Sequence, residues 1–171
     1  MNPSQYKSLA LKTLNSDLTT EQKRYNAQFG LAAEYGELTD IFKKHLFQKH
    51  DLDKEACIKE IGDILWYSAL CCSVMDAKLD KIVAETTWST KIPLERSLEK
   101  TIIDTYYAFP INLTSYPAFY ASLKTMLLDL ARIGSYLDTT LEEAAKKNIE
   151  KLNKRYKGGA FSKEKSIFRS E

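Results

Sequence analysis

The chain has 171 residues, a net charge of +2 and 44% hydrophobic residues. This composition is typical of a folded domain with a core of its own, and it argues against a disordered segment or a strongly basic nucleic-acid-binding protein. Six Gly and four Pro residues are too few for a turn-rich all-β fold. Two His exclude a zinc-finger pattern, and three Cys, two of them adjacent, fit no disulfide framework.

The sequence predicts a cytoplasmic protein without a membrane segment. The longest apolar run covers residues 64–75, well short of the roughly 20 residues that span a bilayer. Residues 1–20 lack the basic start and apolar centre of a secretory signal.

Two long helices are predicted in the first half of the chain. The first covers about 20–47, where Thr19 and Gln22 have the spacing of a capping box. The second covers about 54–76, with Asp53 as its cap. Neither stretch contains Pro, which would interrupt a helix.

Further helices are predicted after a less regular segment. A short third helix is expected to begin at Asp76, and three prolines then fall between residues 93 and 117. A last helix is expected over about 140–157, following a second capping signal at Thr139-Thr140 and stopped by Gly158-Gly159. Residues 160–171 are expected to form a loose basic tail.

A weak internal similarity appears at an offset of 62 residues. Both stretches predict a helix, an Asp, a short turn and another helix, so duplication and chance resemblance of amphipathic helices both remain open. The second stretch has Ser122 and Thr125 in place of Glu60 and Asp63, which would leave it chemically silent. The five identities pair Leu65, Ala69, Ser73, Asp76 and Leu79 with Leu127, Ala131, Ser135, Asp138 and Leu141.

The most informative feature is a pair of acidic couples, Glu34 with Glu37 and Glu60 with Asp63. Residues three apart share one face of a helix, and both couples lie on or beside the apolar faces of the first two predicted helices. Buried unpaired carboxylates are costly, and few Lys or Arg share these faces. A divalent cation such as Mg²⁺, which prefers oxygen ligands, would compensate the charge.

Other interpretations of the couples remain open at this point. A single E-x-x-E motif occurs on many solvated helix faces, and from the pattern alone a metal site and a plain acidic face are about equally favoured. A ferritin-like di-iron site is excluded because its E-x-x-H couples are absent: Phe42 and Phe47 stand three residues before His45 and His50.

Three segments resemble the MazG-like branch of the all-α nucleoside triphosphate pyrophosphohydrolases. They are GLAAEYGELTDIFKK at residues 30–44, KEIGDILWY at 59–67 and NIEKLNKRY at 148–156. The first two look like that family's E-x-x-E, spacer, E-x-x-D signature, and the third looks like its closing helix. The resemblance covers about 20–85 and 138–157 and is absent over 86–137.

The resemblance implies an all-α, single-domain enzyme that hydrolyses a nucleoside triphosphate to the monophosphate and pyrophosphate. By this analogy the four carboxylates Glu34, Glu37, Glu60 and Asp63 hold Mg²⁺, or alternatively Mn²⁺, and Glu37 takes a proton from the attacking water. The analogy also suggests substrate contacts, for which a solvated basic face or core packing is the plainer interpretation. These are Lys44, Trp66, Tyr67, Asn148, Lys151 and Arg155.

The chain departs from the family over residues 86–137, which are expected to add about two helices. We expect these helices to fill the space that a second subunit fills in dimeric relatives. A homo-oligomer, most readily a dimer, is nevertheless the partner state that the resemblance implies. The main alternative function is a catalytically silent helical module that binds nucleotide or protein. Nucleic-acid binding through the basic tail is the least favoured option, and base preference cannot be inferred from these residues.

Overall fold

All regular secondary structure in the described part of the chain is helical, as the sequence predicts. The structure is a computed structural model, and it describes residues 1–108, 111, 113–156 and 160–167. The elements are α1 (Pro3–Ala10), a 3₁₀ turn (Leu11–Thr13), α2 (Thr20–Gln48), α3 (Lys54–Val74), α4 (Leu79–Ile82), α5 (Glu85–Ser89), α6 (Leu98–Ala108), α7 (Tyr116–Tyr136), α8 (Leu141–Arg155) and α9 (Lys163–Ile167).

Helices α2 and α3 form the most extensive helix–helix interface among the described residues. At the start of α2 the Thr19 side chain accepts from the Gln22 amide while Gln22 bonds back to the Thr19 amide. The Asp53 carboxylate caps α3 by accepting from the Ala56 amide at 2.9 Å. Because only residues 49–53 join them, the two helices pack antiparallel.

Helix α1 was not anticipated from the sequence. Asn2 and Gln5 form a capping box around it, and Pro3 occupies its first turn, where a missing amide hydrogen costs nothing. Tyr6 and Ala10 of α1 are fully buried, and the helix packs against α3, α4 and α8. The segment that precedes the family-like region is therefore part of the core.

The turn after α3 differs from the prediction that Asp76 begins a helix. Asp76 has φ 50°, and the Ala77 amide donates to the Cys72 carbonyl at 2.7 Å. This left-handed turn satisfies the last carbonyls of α3, so α4 begins only at Leu79.

The same turn recurs after α7, which begins and ends 62 residues after α3. Asp138 has φ 69°, and the Thr139 amide donates to the Gly134 carbonyl at 2.8 Å. Helix α8 also begins 62 residues after α4. The weak sequence similarity therefore corresponds to two helix–turn–helix units with the same turn, although α4 has 4 residues and α8 has 15.

The extra segment contributes α6 and α7, which pack as a pair, together with the short α5. The Tyr35 hydroxyl joins α2 to α6 by donating to the Ile102 carbonyl at 2.5 Å. A charged cluster holds α6 and α7 together around Asp129, which is 1% exposed and is contacted by Arg96 at 2.8 Å and Arg132 at 2.9 Å. The sequence patterns gave no indication of this cluster.

The C-terminal part departs from the expected loose tail. Helix α8 ends at Arg155, and Gly158-Gly159, predicted to stop it, lies outside the described residues, as does the tail from residue 168 onward. Phe161 packs on Tyr156 with ring centroids 6.1 Å apart, and the short α9 follows. Among the helices that the structure describes, none combines the length and apolar character needed to cross a bilayer.

Candidate active site

Three of the predicted metal ligands converge where α2 meets α3. Carboxylate oxygens of Glu34, Glu37 and Glu60 all lie within 4.8 Å of one another. Glu60 is 5% exposed, Glu34 is partly buried and Glu37 is exposed to solvent. The cluster is thus reachable from one side and enclosed by protein on the other.

The cluster carries more negative charge than its immediate surroundings compensate. Burial, together with repulsion from Asp63, Glu37 and Glu60, raises the pKa of Glu34 to about 7. Burial also raises the pKa of Glu60, although Lys59, whose ammonium lies 3.6 Å away, opposes the rise. Such raised pKa values are typical of carboxylates arranged to share a cation or a proton.

Asp63, the fourth predicted ligand, stands beside this group of three. Its carboxylate pairs with the Lys151 ammonium and accepts from the Asn148 amide nitrogen at 2.8 Å. Both partners belong to α8, so the cation that compensates Asp63 comes from a third helix. The expectation that few cations compensate these carboxylates is therefore wrong at Asp63, which pairs with Lys151, and at Glu60, whose carboxylate lies 3.6 Å from the Lys59 ammonium.

Asn148 itself is 3% exposed, lies behind Asp63 and is not among the residues that line the cavity described below. Helix α8 comes this close because residue 62 is Gly. A Cβ atom there would lie 3.0 Å from the Asn148 Cβ and 3.2 Å from the Ala144 carbonyl oxygen. The glycine within the second acidic couple thus serves the packing of α8 against α3.

Lys44, a further predicted substrate contact, lies outside the cavity. Its ammonium pairs with the Asp40 carboxylate at 2.6 Å, one turn earlier on α2. Lys44 is therefore a surface ion-pair residue in this structure.

The four carboxylates line a single cavity of about 670 Å³, within the size range of small-molecule sites. Lys151 and Arg155, predicted from the resemblance, are in its wall, and Lys59 and Lys154 join them. Its aromatic lining consists of Trp66, Tyr67, Tyr156 and Phe161. One cavity thus combines an acidic cluster, several cations and aromatic surface.

The side chains of Tyr67 and Trp66 are held in place by different kinds of contact. The Tyr67 ring lies directly over Gly30 of α2, where an added Cβ would fall 2.1 Å from a ring carbon. Only glycine leaves room for the ring in this place. The Trp66 indole nitrogen donates to the Ala10 carbonyl and the Thr13 hydroxyl at 3.0 and 3.1 Å, which gives this side chain a structural role although its ring also lines the cavity.

The carboxylates fit a hard divalent cation. Glu34, Glu37 and Glu60 supply only oxygen donors, which suits Mg²⁺ or Mn²⁺ better than softer metals. Buried carboxylates with raised pKa values gain a partner when a cation binds. The Asp63 carboxylate is close enough that its charge contributes to the raised pKa of Glu34.

Sequence reasoning missed the part of the wall that comes from the N-terminal segment and from α9. Thr13, Leu14, Asn15 and Leu18 line the cavity, together with Ser166. The Asn2-Pro3 start of α1 was a readable helix signal. No local pattern in the sequence indicates that α1 packs against α3, the helix that carries Glu60 and Asp63.

The chain was compared with protein-family models, curated proteins and solved structures, and none of them matched. The chemistry of the cavity is therefore inferred from its own residues.

Proposed function

We propose that this cavity binds a nucleoside triphosphate and hydrolyses it to the monophosphate and pyrophosphate with the help of Mg²⁺. One observation carries the proposal: the carboxylates Glu34, Glu37 and Glu60 converge in the same cavity as cationic and aromatic side chains. The MazG-like resemblance of the α2, α3 and α8 segments supports the same activity.

Glu34, Glu37 and Glu60 would hold the cation, and Asp63, which lines the same cavity, would be its fourth ligand. A bound Mg²⁺ supplies charge that offsets the phosphates and the transition state. Since Glu60 is 5% exposed, its carboxylate is fixed by packing and needs little reordering to serve as a ligand. Such preorganisation is how protein sites stabilise developing charge most effectively.

The remaining walls suit the other parts of the substrate. Lys151, Lys154 and Arg155 present cations from the last two turns of α8, where they can contact phosphate oxygens. Tyr67 and Tyr156 offer ring surface on which a base can stack, and stacking accepts every base because each has a π-face. The cavity therefore favours a nucleotide over inorganic polyphosphate.

Glu37 is the best-placed proton acceptor because it is the exposed member of the acidic group. The water oxygen would form a bond to the α-phosphorus, the bond from that phosphorus to the oxygen bridging the α and β phosphates would break, and Glu37 would take a water proton. Pyrophosphate leaves with the electron pair of the broken bond.

The test is pyrophosphate release from each of the eight common ribo- and deoxyribonucleoside triphosphates. We expect Mg²⁺-dependent release from at least one, and a loss of about 10²–10⁴-fold in kcat for Glu37→Ala if this residue is the general base. Glu150→Ala, which removes an exposed glutamate from α8, is the matched control and should retain full activity.

Absence of release from every substrate, or release that Glu37→Ala leaves intact, would contradict the enzyme proposal. Nucleotide binding by calorimetry without turnover would then favour the catalytically silent nucleotide-binding module.

A further inference from the structure

A buried tyrosine of α1 reaches the back of the acidic face. Tyr6 is fully buried, and its ring packs against Trp88 with centroids 5.7 Å apart. Its hydroxyl oxygen lies 3.0 Å from the Asn148 side-chain oxygen and 3.2 Å from the Gly62 carbonyl oxygen. Burial of a hydroxyl is favourable only when it is hydrogen-bonded, so this position commits Tyr6 to these partners.

The Tyr6 hydroxyl and the Asp63 carboxylate together determine which way the Asn148 amide faces. When Tyr6 donates to the Asn148 oxygen, the amide nitrogen points to Asp63, to which it donates at 2.8 Å. A reversed amide would turn its oxygen toward the Asp63 carboxylate, and two acceptors repel each other. The result is a continuous path of hydrogen bonds from α1 through α8 to α3.

This path ends on one of the four carboxylates of the cavity. Polar partners behind a metal ligand orient it, and their removal typically weakens metal binding about 10–100-fold. Glu34, Glu37 and Glu60 are grouped on the α2–α3 pair, whereas Asp63 is held from α8 by Asn148 and Lys151. Asp63 thus depends on side chains outside the acidic helices.

We propose that Tyr6 is a positioning residue of the site, which acts through Asn148 to fix the Asp63 carboxylate on the acidic face. The inference rests on the proposed function, since it assumes that the acidic face binds Mg²⁺. It assigns to α1, which lies outside the region of family resemblance, a part in the metal-binding geometry that goes beyond core packing.

The test is Tyr6→Phe, which removes one oxygen and keeps the ring against Trp88. Tyr35→Phe is the matched control, because it removes another buried tyrosine hydroxyl that donates to a backbone carbonyl, that of Ile102. Isothermal titration with MgCl₂ in the absence of nucleotide should show about tenfold weaker binding for Tyr6→Phe and unchanged binding for Tyr35→Phe. Unfolding temperatures should fall by similar amounts in both variants.

Asn148→Ala extends the test and serves in its place if Tyr6→Phe does not fold. It should weaken Mg²⁺ binding at least tenfold, and adding Tyr6→Phe to it should have no further effect on Mg²⁺ affinity. Such non-additivity shows that the two residues act in one path.

Equal Mg²⁺ affinity in Tyr6→Phe and Tyr35→Phe, additive effects in the double variant, or an unchanged affinity in Asn148→Ala would overturn the inference. The proposed function fails by a separate result, the absence of pyrophosphate release from the unaltered chain. A chain that binds no Mg²⁺ at all would overturn both.

Discussion

The carboxylate of Glu34 should destabilise the metal-free protein above neutral pH. The folded protein raises the Glu34 pKa from the ordinary 4.5 to about 7, so the folded state holds this proton more tightly than the unfolded state does. Stability therefore falls as pH rises from 4.5 to about 7, and the full penalty is present above that window. A shift of this size corresponds to about 3 kcal/mol, which solvent screening of a partly exposed group reduces to about 1–2 kcal/mol.

Glu34→Gln removes the charge while keeping the shape of the side chain. In EDTA at pH 8 we expect the variant to be more stable than the unaltered chain by about 1–2 kcal/mol, or roughly 2–8 °C in Tm for a chain of this length. At pH 4.5 the difference should largely disappear, since Glu34 is then mostly protonated in the folded protein. Urea unfolding followed by circular dichroism measures the difference in the free energy of unfolding at each of the two pH values, and thermal unfolding measures the difference in Tm.

Addition of Mg²⁺ at pH 8 should narrow or reverse the difference, because the unaltered chain gains binding energy that the variant loses. Glu150→Gln, an exposed change on α8, should shift stability by less than about 0.5 kcal/mol at either pH. The reasoning is refuted if Glu34→Gln is less stable than the unaltered chain at pH 8 in EDTA, or if its gain is the same at both pH values.

Three further substitutions test the geometry around the site and in the added helices. Gly30→Ala places a Cβ 2.1 Å from the Tyr67 ring. It should lower the free energy of unfolding in urea by about 1–3 kcal/mol and raise KM for the nucleotide. In Gly36→Ala the added Cβ would meet nothing within 4 Å among the described residues, so this change should stabilise α2 by about 0.5–1 kcal/mol. Asp129→Ala leaves Arg132, which is 7% exposed, without its buried partner. The free energy of unfolding should fall by about 3–5 kcal/mol. A fall of less than about 1 kcal/mol would contradict a structural role for this ion pair.

The sequence predicted those parts of the fold that depend on residues close together in the chain. Helix α2 was expected over 20–47 and covers Thr20–Gln48, because the Thr19–Gln22 capping box acts across only three residues. The acidic group was also predictable, because the short link between α2 and α3 makes these two helices pack antiparallel. The prediction that a helix begins at Asp76 was wrong because Asp can either cap the start of a helix or adopt the left-handed conformation in the turn after one.

The remaining features depend on how distant helices cross. Lys151 lines the cavity, whereas Asn148, three residues earlier, is buried behind Asp63. No periodicity distinguishes these two positions, because the outcome depends on the close approach of α8 that Gly62 permits. Lys44 illustrates the converse, since a nearby Asp40 on its own helix gives it a partner away from the cavity.

The hydrogen bond between Tyr6 and Asn148 also bears on the order in which the molecule assembles. It joins residues 142 positions apart, whereas the acidic group on α2 and α3 needs only the closure of the five residues 49–53. Contacts between distant residues carry a larger loop-closure cost and tend to form late. A chain emerging during synthesis thus acquires the carboxylates of α2 and α3 before it has the basic wall of α8.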